Sequence, residues 1–177
     1  KRLNIFNSPK NVVQTYGHTK VWLKMLEMSK GSLIINISDD DYWPFNGFLN
    51  ECVDKFKKFK NLSKVIGNQV DYNYQDGKFK KYNYEEILKK INLKEDLVYH
   101  DNVLKEGFYK SLDYLYEFSK RPLDLAISTS GTMFDKRKFI EVNALLSENL
   151  SKYQGGYELL IPSSYLGDIY FIDEPRV

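Results

Sequence analysis

The sequence predicts an α/β fold, a mixed and mostly parallel sheet flanked by helices, and three observations carry that prediction. The first third of the chain alternates strand-like with helix-like segments in the order β-α-β-α, which calls for crossover helices between parallel strands. The stretch "GSLIINISDDDYWPFNG" (residues 31–47) runs an apolar segment straight into three aspartates. Leu33, Ile34, Ile35 and Ile37 read as a strand covered on both faces, of the type found in the middle of a parallel sheet. Finally, "DIYFIDEP" supplies a last strand of similar character.

The elements follow in order. "RLNIFNSPKNVVQ" predicts a strand over residues 3–6 and a turn at Ser8 and Pro9. A helix is expected over residues 15–29, with Val21, Trp22, Met25 and Met28 on one face and Gly31 as its C-cap. After the apolar strand, "FNGFLNECVDKFKKFKN" is a second amphipathic helix. "NQVDYNYQDGKFKKYNY" alternates polar and apolar residues on both sides of Asp76-Gly77, a hairpin signal. "YEEILKKI" and "GFYKSLDYLYEFSKR" predict a short and a longer helix, the latter stopped by Pro122. "LDLAISTSGTMF" reads as a strand entering a Ser/Thr/Gly turn, "DKRKFIEVNALLSENL" as a helix, and "YELLIPSSYLG" as one more. There is no repeat, low-complexity tract or linker, so residues 1–177 are expected to form a single domain.

Composition narrows the function classes. The 177 residues carry 26 basic and 24 acidic side chains, a net charge of +2 that favours no class of partner. "DKFKKFKN" and "GKFKKYNY" interleave Lys with aromatics, a pattern that tracks nucleic-acid backbones. It is equally the pattern of an amphipathic helix and a half-buried hairpin. That plainer reading is preferred, and no nucleic-acid partner is expected. The single cysteine, Cys52, excludes an internal disulfide and a Cys-based zinc cluster. It shares a helical face with Phe48, Leu49, Val53 and Phe56, so a buried, inert thiol is expected. No apolar run approaches the roughly 20 residues of a membrane span. The chain opens on Lys1 without a signal-peptide pattern, and it reads as an excerpt of something longer.

Asp39, Asp40 and Asp41 fall at the C-terminal end of the apolar strand, where open α/β sheets bind their ligands. Adjacent carboxylates repel one another unless they share a cation. The apolar residues that follow exclude an EF-hand loop, which needs alternating oxygen ligands and a Glu at its twelfth position. A hard divalent cation held over a cleft is the expectation that remains.

In this order of segments the sequence resembles the family 2 glycosyltransferases of the GT-A fold. That family runs from an Asn-rich turn through a helix and Lys-Gly to a hydrophobic strand and Asp-x-Asp-Asp, often followed by an aromatic residue and Pro; this chain has "NVVQTYGHTKVWLKMLEMSKGSLIINISDDDYWP". "STSGTMFDKRKF" is similar to the family's Ser-Gly-x-Met-Phe-x-Arg-x-x-Phe turn, and "GDIYFIDEPRV" to its closing strand. The resemblance implies a nucleotide-sugar donor, most often a UDP-sugar, a Mn²⁺ or Mg²⁺ ion, and inverting transfer to a glycan or lipid-linked acceptor of bacterial surface polysaccharide synthesis. It puts the metal-contacting carboxylate at Asp40, with Asp39 facing the ribose or the ion and Asp41 in support. A self-contained Asp-x-Asp would instead pair Asp39 with Asp41. Lys20 takes the part of the basic residue that family members direct from this helix toward the diphosphate. Trp43, Ser130 and Gly131 would lie on the acceptor side.

Two departures stand out. The family's first strand and base pocket normally lie upstream of residue 1, so the chain reads as N-terminally truncated. "YQGGYELLIP" puts Gly155 and Gly156 where many members carry Glu-Asp ahead of the acceptor, which leaves Glu158 as the nearest carboxylate able to serve as general base. His18 and His100 are read as an exposed polar residue and a structural one.

The expected protein is a metal-dependent glycosyltransferase, cytoplasmic or peripheral at the inner face of the membrane through the lysines between Lys55 and Lys60. The alternative from another class is a catalytically degenerate GT-A domain that binds a glycan or a protein. A nuclease or phosphatase built on the same carboxylates ranks last, because the chain lacks a second acidic cluster.

Overall fold

The computed structural model describes residues 18–37, 46–68, 71–73, 78–80, 104–120, 129–145 and 163–175. Helix α1 (His18–Met28) leads into strand β1 (Leu33–Ile35). It ends before the expected glycine cap, and Gly31 has no positive φ. Its last carbonyls are satisfied instead by the Ser29 amide on Met25 at 3.0 Å, the Ser29 hydroxyl on Leu26 at 2.8 Å, and the Lys136 ammonium on Ser29 at 2.7 Å. The face expected inside is also turned. Met25 and Met28 are exposed and Leu26 is buried, because α1 packs through Leu26 on Phe134 and Phe139.

Helix α2 (Phe48–Lys58) carries Phe48 and Cys52 one turn apart, both fully buried, with three lysines in its last turn where the helix dipole favours cations. Leu49 lies outside the expected apolar face and is exposed. Next comes strand β2 (Leu62–Asn68), a strand the alternation did not signal because Ser63, Lys64 and Gly67 interrupt its apolar residues. The hairpin does form, as β3 (Asp71–Asn73) paired antiparallel with β4 (Lys78–Lys80).

The segment expected to form one longer helix is two elements, strand β5 (Gly107–Tyr109) and helix α3 (Ser111–Lys120). Pairing with the last strand overrides the helical pattern of its first residues, and the helix stops two residues before Pro122, as expected. A 3₁₀ turn (Thr129–Gly131) runs into β6 (Thr132–Asp135), followed by helix α4 (Lys136–Leu145) and strand β7 (Asp168–Pro175). Asp135 starts α4 as a side-chain cap, accepting the Lys138 amide at 3.0 Å. The expected strand at residues 3–6, the turn at Ser8 and Pro9, the helix at 84–91, and residues 123–128 and 157–162 lie outside the described residues.

The main sheet has the order β1-β6-β2-β7-β5. The expectation of a mostly parallel sheet is corrected: among the described residues only the pairing of β2 with β7 is parallel, and the other three pairings are antiparallel. The physical reason is β6, which inserts between β1 and β2 against both. β1 is therefore an edge of the described sheet rather than its middle, and its residues are half-buried.

Helices nevertheless cover both faces. Leu33 and Ile35 point with Val65, Met133 and Ile172 to the side closed by Phe48 and Cys52 of α2. Ile34 and Phe134 point to the other side, under Leu26 and Phe139, where Ile66, Ile169 and Phe171 continue the layer under Tyr114 of α3. Each fully buried Phe or Ile in these layers stabilises the fold by about 1.5–3 kcal/mol relative to exposure. The result is an α/β fold with a five-stranded mixed sheet.

Candidate functional site

The strand directions define the two ends of the sheet. Ile35, near the exit of β1, faces Met133, and Ile66, near the exit of β2, faces Thr132 at the entrance of β6. β7 runs parallel to β2, so one end collects the carboxyl ends of β1, β2 and β7 together with the start of β6. The 3₁₀ turn at Thr129–Gly131 sits there and touches both β1 and β2. Ser130 and Thr132 are fully buried, and Gly131 is buried beside them. Small residues let the turn close down on the strand ends, which a bulky sequence would prevent.

Of the residues singled out in the sequence, Ser130 and Gly131 therefore share a sheet end with the exit of β1. The chain leaves β1 through Asn36 and the exposed Ile37 toward the aspartates. Asp39, Asp40, Asp41, Trp43 and Glu158 lie outside the described residues. Lys20 falls within α1. Among the described residues there is no group of three His, Cys, Asp or Glu side chains able to hold a metal. Cys52 is fully buried, as expected.

The opposite end holds a polar cluster that the sequence did not reveal. Asp168, first residue of β7 and 4% exposed, accepts hydrogen bonds from the Lys110 ammonium at 3.2 Å, the Ser111 amide at 3.2 Å and the Asn61 side-chain amide at 3.3 Å. Burial alone would raise its pKa; these three donors outweigh burial and hold the carboxyl below its usual value. Lys138, reaching in from α4, donates to the carbonyl of Asn61 at 2.7 Å and to its side-chain oxygen at 3.0 Å. Burial lowers its pKa, with Asp135 and Asp168 pulling the other way. The Ser63 hydroxyl is 3.1 Å from the Gly167 carbonyl and 3.2 Å from that of Asp168, and the Ser111 hydroxyl bonds the Ser164 carbonyl.

Chemically this cluster is a clamp. Its carboxylate is paired with Lys110 and its second ammonium, Lys138, is bound to Asn61; the cluster stands at the amino ends of the parallel strands, away from the end where α/β sheets take ligands. The Asp168 carboxylate also covers the first amide of α3, a capping role filled from 57 positions away along the chain. That distance is why no local sequence signal marked it.

A second unforeseen feature is Lys64 in the middle of β2. It is wholly buried, with its ammonium 4.9 Å from the centroid of the Tyr114 ring. Burial pulls its pKa down to about 7 and pushes the Tyr114 phenol up.

No protein-family model matches the chain. Its sequence is similar to that of the putative uncharacterized protein YPR202W of Saccharomyces cerevisiae, 30% identical over 162 residues that take in 76% of this chain and 63% of that protein. The chain thus spans less than two thirds of that relative's length.

Proposed function

We propose that the protein is a glycosyltransferase of the GT-A type, similar to family 2, which moves a sugar from a nucleotide-diphosphate donor to a glycan or lipid-linked acceptor on the cytoplasmic side. The observation that supports this most is the Ser/Thr/Gly turn at Thr129–Gly131, which touches β1 and β2 at the sheet end from which the chain runs on to Asp39–Asp41. Two of the sequence segments on which the resemblance rests thus lead to one end of the sheet.

In this reading Asp40, with Asp39 or Asp41, holds a Mn²⁺ or Mg²⁺ ion. Three carboxylates without His or Cys are the oxygen donors that such hard cations take. The ion, when bound, would neutralise charge on the departing diphosphate. Lys20 adds a positive charge on the donor side. The acceptor hydroxyl attacks the anomeric carbon, the bond from that carbon to the diphosphate oxygen breaks, and the hydroxyl proton passes to a base, for which Glu158 is the nearest carboxylate. Trp43 would form the acceptor side, with Ser130 and Gly131 shaping the floor.

Gly155 and Gly156, at the position where the family carries its base, favour a second reading: a domain of the same fold that binds a glycan or a protein without transfer. Calorimetric titration of UDP with and without Mn²⁺, on wild type and Asp40→Ala, tests the first reading. Metal-dependent binding that Asp40→Ala abolishes is expected. Nucleotide binding unchanged in that variant would overturn the metal assignment, and binding without any donor turnover would favour the second reading.

A further inference from the structure

Three aromatic rings line up on the α2 side of the border between β7 and β5. Phe108 and Tyr170 are cross-strand partners. Phe59, the residue after α2, stacks on Phe108 with ring centroids 5.0 Å apart and leans on Tyr170 at 5.5 Å. An ammonium group lies over each ring: Lys110 at 5.1 Å from Phe108, Lys58 at 5.3 Å from Phe59, and Lys55 at 4.1 Å from Tyr170. Lys55 also donates to the Tyr170 hydroxyl at 3.0 Å and lies 3.9 Å from Glu106. The exposed Lys60 and Lys105 adjoin the group in sequence.

Lysine stems often cover apolar surface for purely structural reasons. Here, however, Phe108 stays 36% exposed after stacking. Glu106 and the buried Asp168 are the carboxylates paired with Lys55 and Lys110. Glu51 also lies within electrostatic reach of Lys55. Against these three carboxylates stand Lys55, Lys58, Lys60, Lys105 and Lys110, which leaves net positive charge around a partly exposed aromatic edge. We propose that this face docks on an anionic lipid surface, with Lys55, Lys58 and Lys110 meeting headgroups and the rim of Phe108 entering the interface.

The complementarity is one of charge and of shape. Lysine attracts anionic headgroups by roughly 1 kcal/mol each near the surface, and aromatic rings settle at headgroup depth. A single-stranded nucleic acid would need open ring faces for its bases. Phe59, the ring between the other two, is stacked within the molecule, and every ring carries a lysine. The inference rests on α2, β5 and β7 alone, so it is independent of the proposed sugar transfer.

The test is co-sedimentation of the full chain with vesicles of equal parts phosphatidylglycerol and phosphatidylcholine, against vesicles of phosphatidylcholine alone. Binding to the anionic vesicles only, weakening as salt is raised, is expected. Lys58→Gln and Lys60→Gln, at exposed positions where folding is not at stake, should each lower partitioning about fivefold. Phe108→Ser should weaken it further, with circular dichroism confirming the fold. Equal binding to both vesicles, no binding, or binding undiminished in the lysine variants would overturn the proposal. Salt-dependent capture of a single-stranded oligonucleotide by a protein that ignores vesicles would assign the face to nucleic acid instead.

Discussion

Asp168 and Asn61 hold one another twice: the Asp168 amide donates to the Asn61 carbonyl at 2.9 Å, and the Asn61 side-chain amide donates to the Asp168 carboxylate at 3.3 Å. This pair of hydrogen bonds across the amino ends of β2 and β7 makes Asp168 the centre of the clamp. Asp168→Ala removes an acceptor from three donors and should cost about 1–3 kcal/mol in urea denaturation. The pH sign follows from the depressed carboxyl: its contribution is complete above the unfolded value of about 4 and is lost as pH falls through the lower folded value. Asp168→Ala should therefore show a shallower acid loss than wild type. Parallel acid profiles would mean that the clamp contributes nothing.

Gly167 is required by crowding rather than by backbone conformation. A Cβ there would lie 2.3 Å from the Lys138 ammonium, 2.5 Å from the Asn61 carbonyl oxygen and 3.0 Å from the Ser63 amide. The lysine can swing away, but the backbone oxygen cannot. Gly167→Ala is expected to destabilise by about 1–3 kcal/mol, as overpacking does. A midpoint equal to that of wild type would show that the loop before β7 yields easily.

Lys64 sets a trend of the same sign, in the alkaline range rather than the acid one. Its amine titrates near 7 when folded and near 10.5 when unfolded, so across that window the unfolded chain binds more protons and stability rises with pH. The thermal midpoint should climb from neutral to about pH 9.5, short of the range in which the raised phenols of the buried Tyr114 and the half-buried Tyr109 reverse the trend. Lys64→Met keeps the volume and should flatten the climb. A variant that still climbs as wild type does would place the titrating group elsewhere.

The two registers of the aspartate triplet make separable predictions. If Asp39 and Asp40 share the ion, Asp41→Asn should change Mn²⁺-dependent UDP affinity little, while Asp40→Asn lowers it by at least tenfold. If the pair is Asp39 and Asp41, the two variants exchange their effects. Calorimetry on both decides between them, and equal, undiminished affinity in both would remove the triplet from the donor site.

Local patterns were legible where the structure is local. Helices α2 and α4, strand β7, the hairpin and the stop before Pro122 all followed from periodicity, caps and breakers. The turn into β6 was also visible as a cluster of small residues. What escaped depends on partners far along the chain. β2 carries a lysine and two small residues that only a central position makes sense of, and β5 is a strand because β7 lies beside it. The antiparallel insertion of β6 has no signature in its own four residues. In the same way the aspartate triplet could be read from sequence as a candidate site, whereas the Asp168 clamp joins Asn61, Lys110, Lys138 and Asp168 from four separate segments.

The parallel pair at the middle of the sheet also sets a timetable. β2 ends at residue 68 and β7 begins at residue 168, so Val65 and Ile66 have no strand on one side until a hundred further residues have been synthesised. At translation speeds of roughly 5–20 residues per second, that leaves an adhesive edge open for many seconds. Contacts so remote in sequence also slow the final closure. Nascent chains halted before residue 168 should be the species that chaperones hold, and release of the last strand should be the step that frees them.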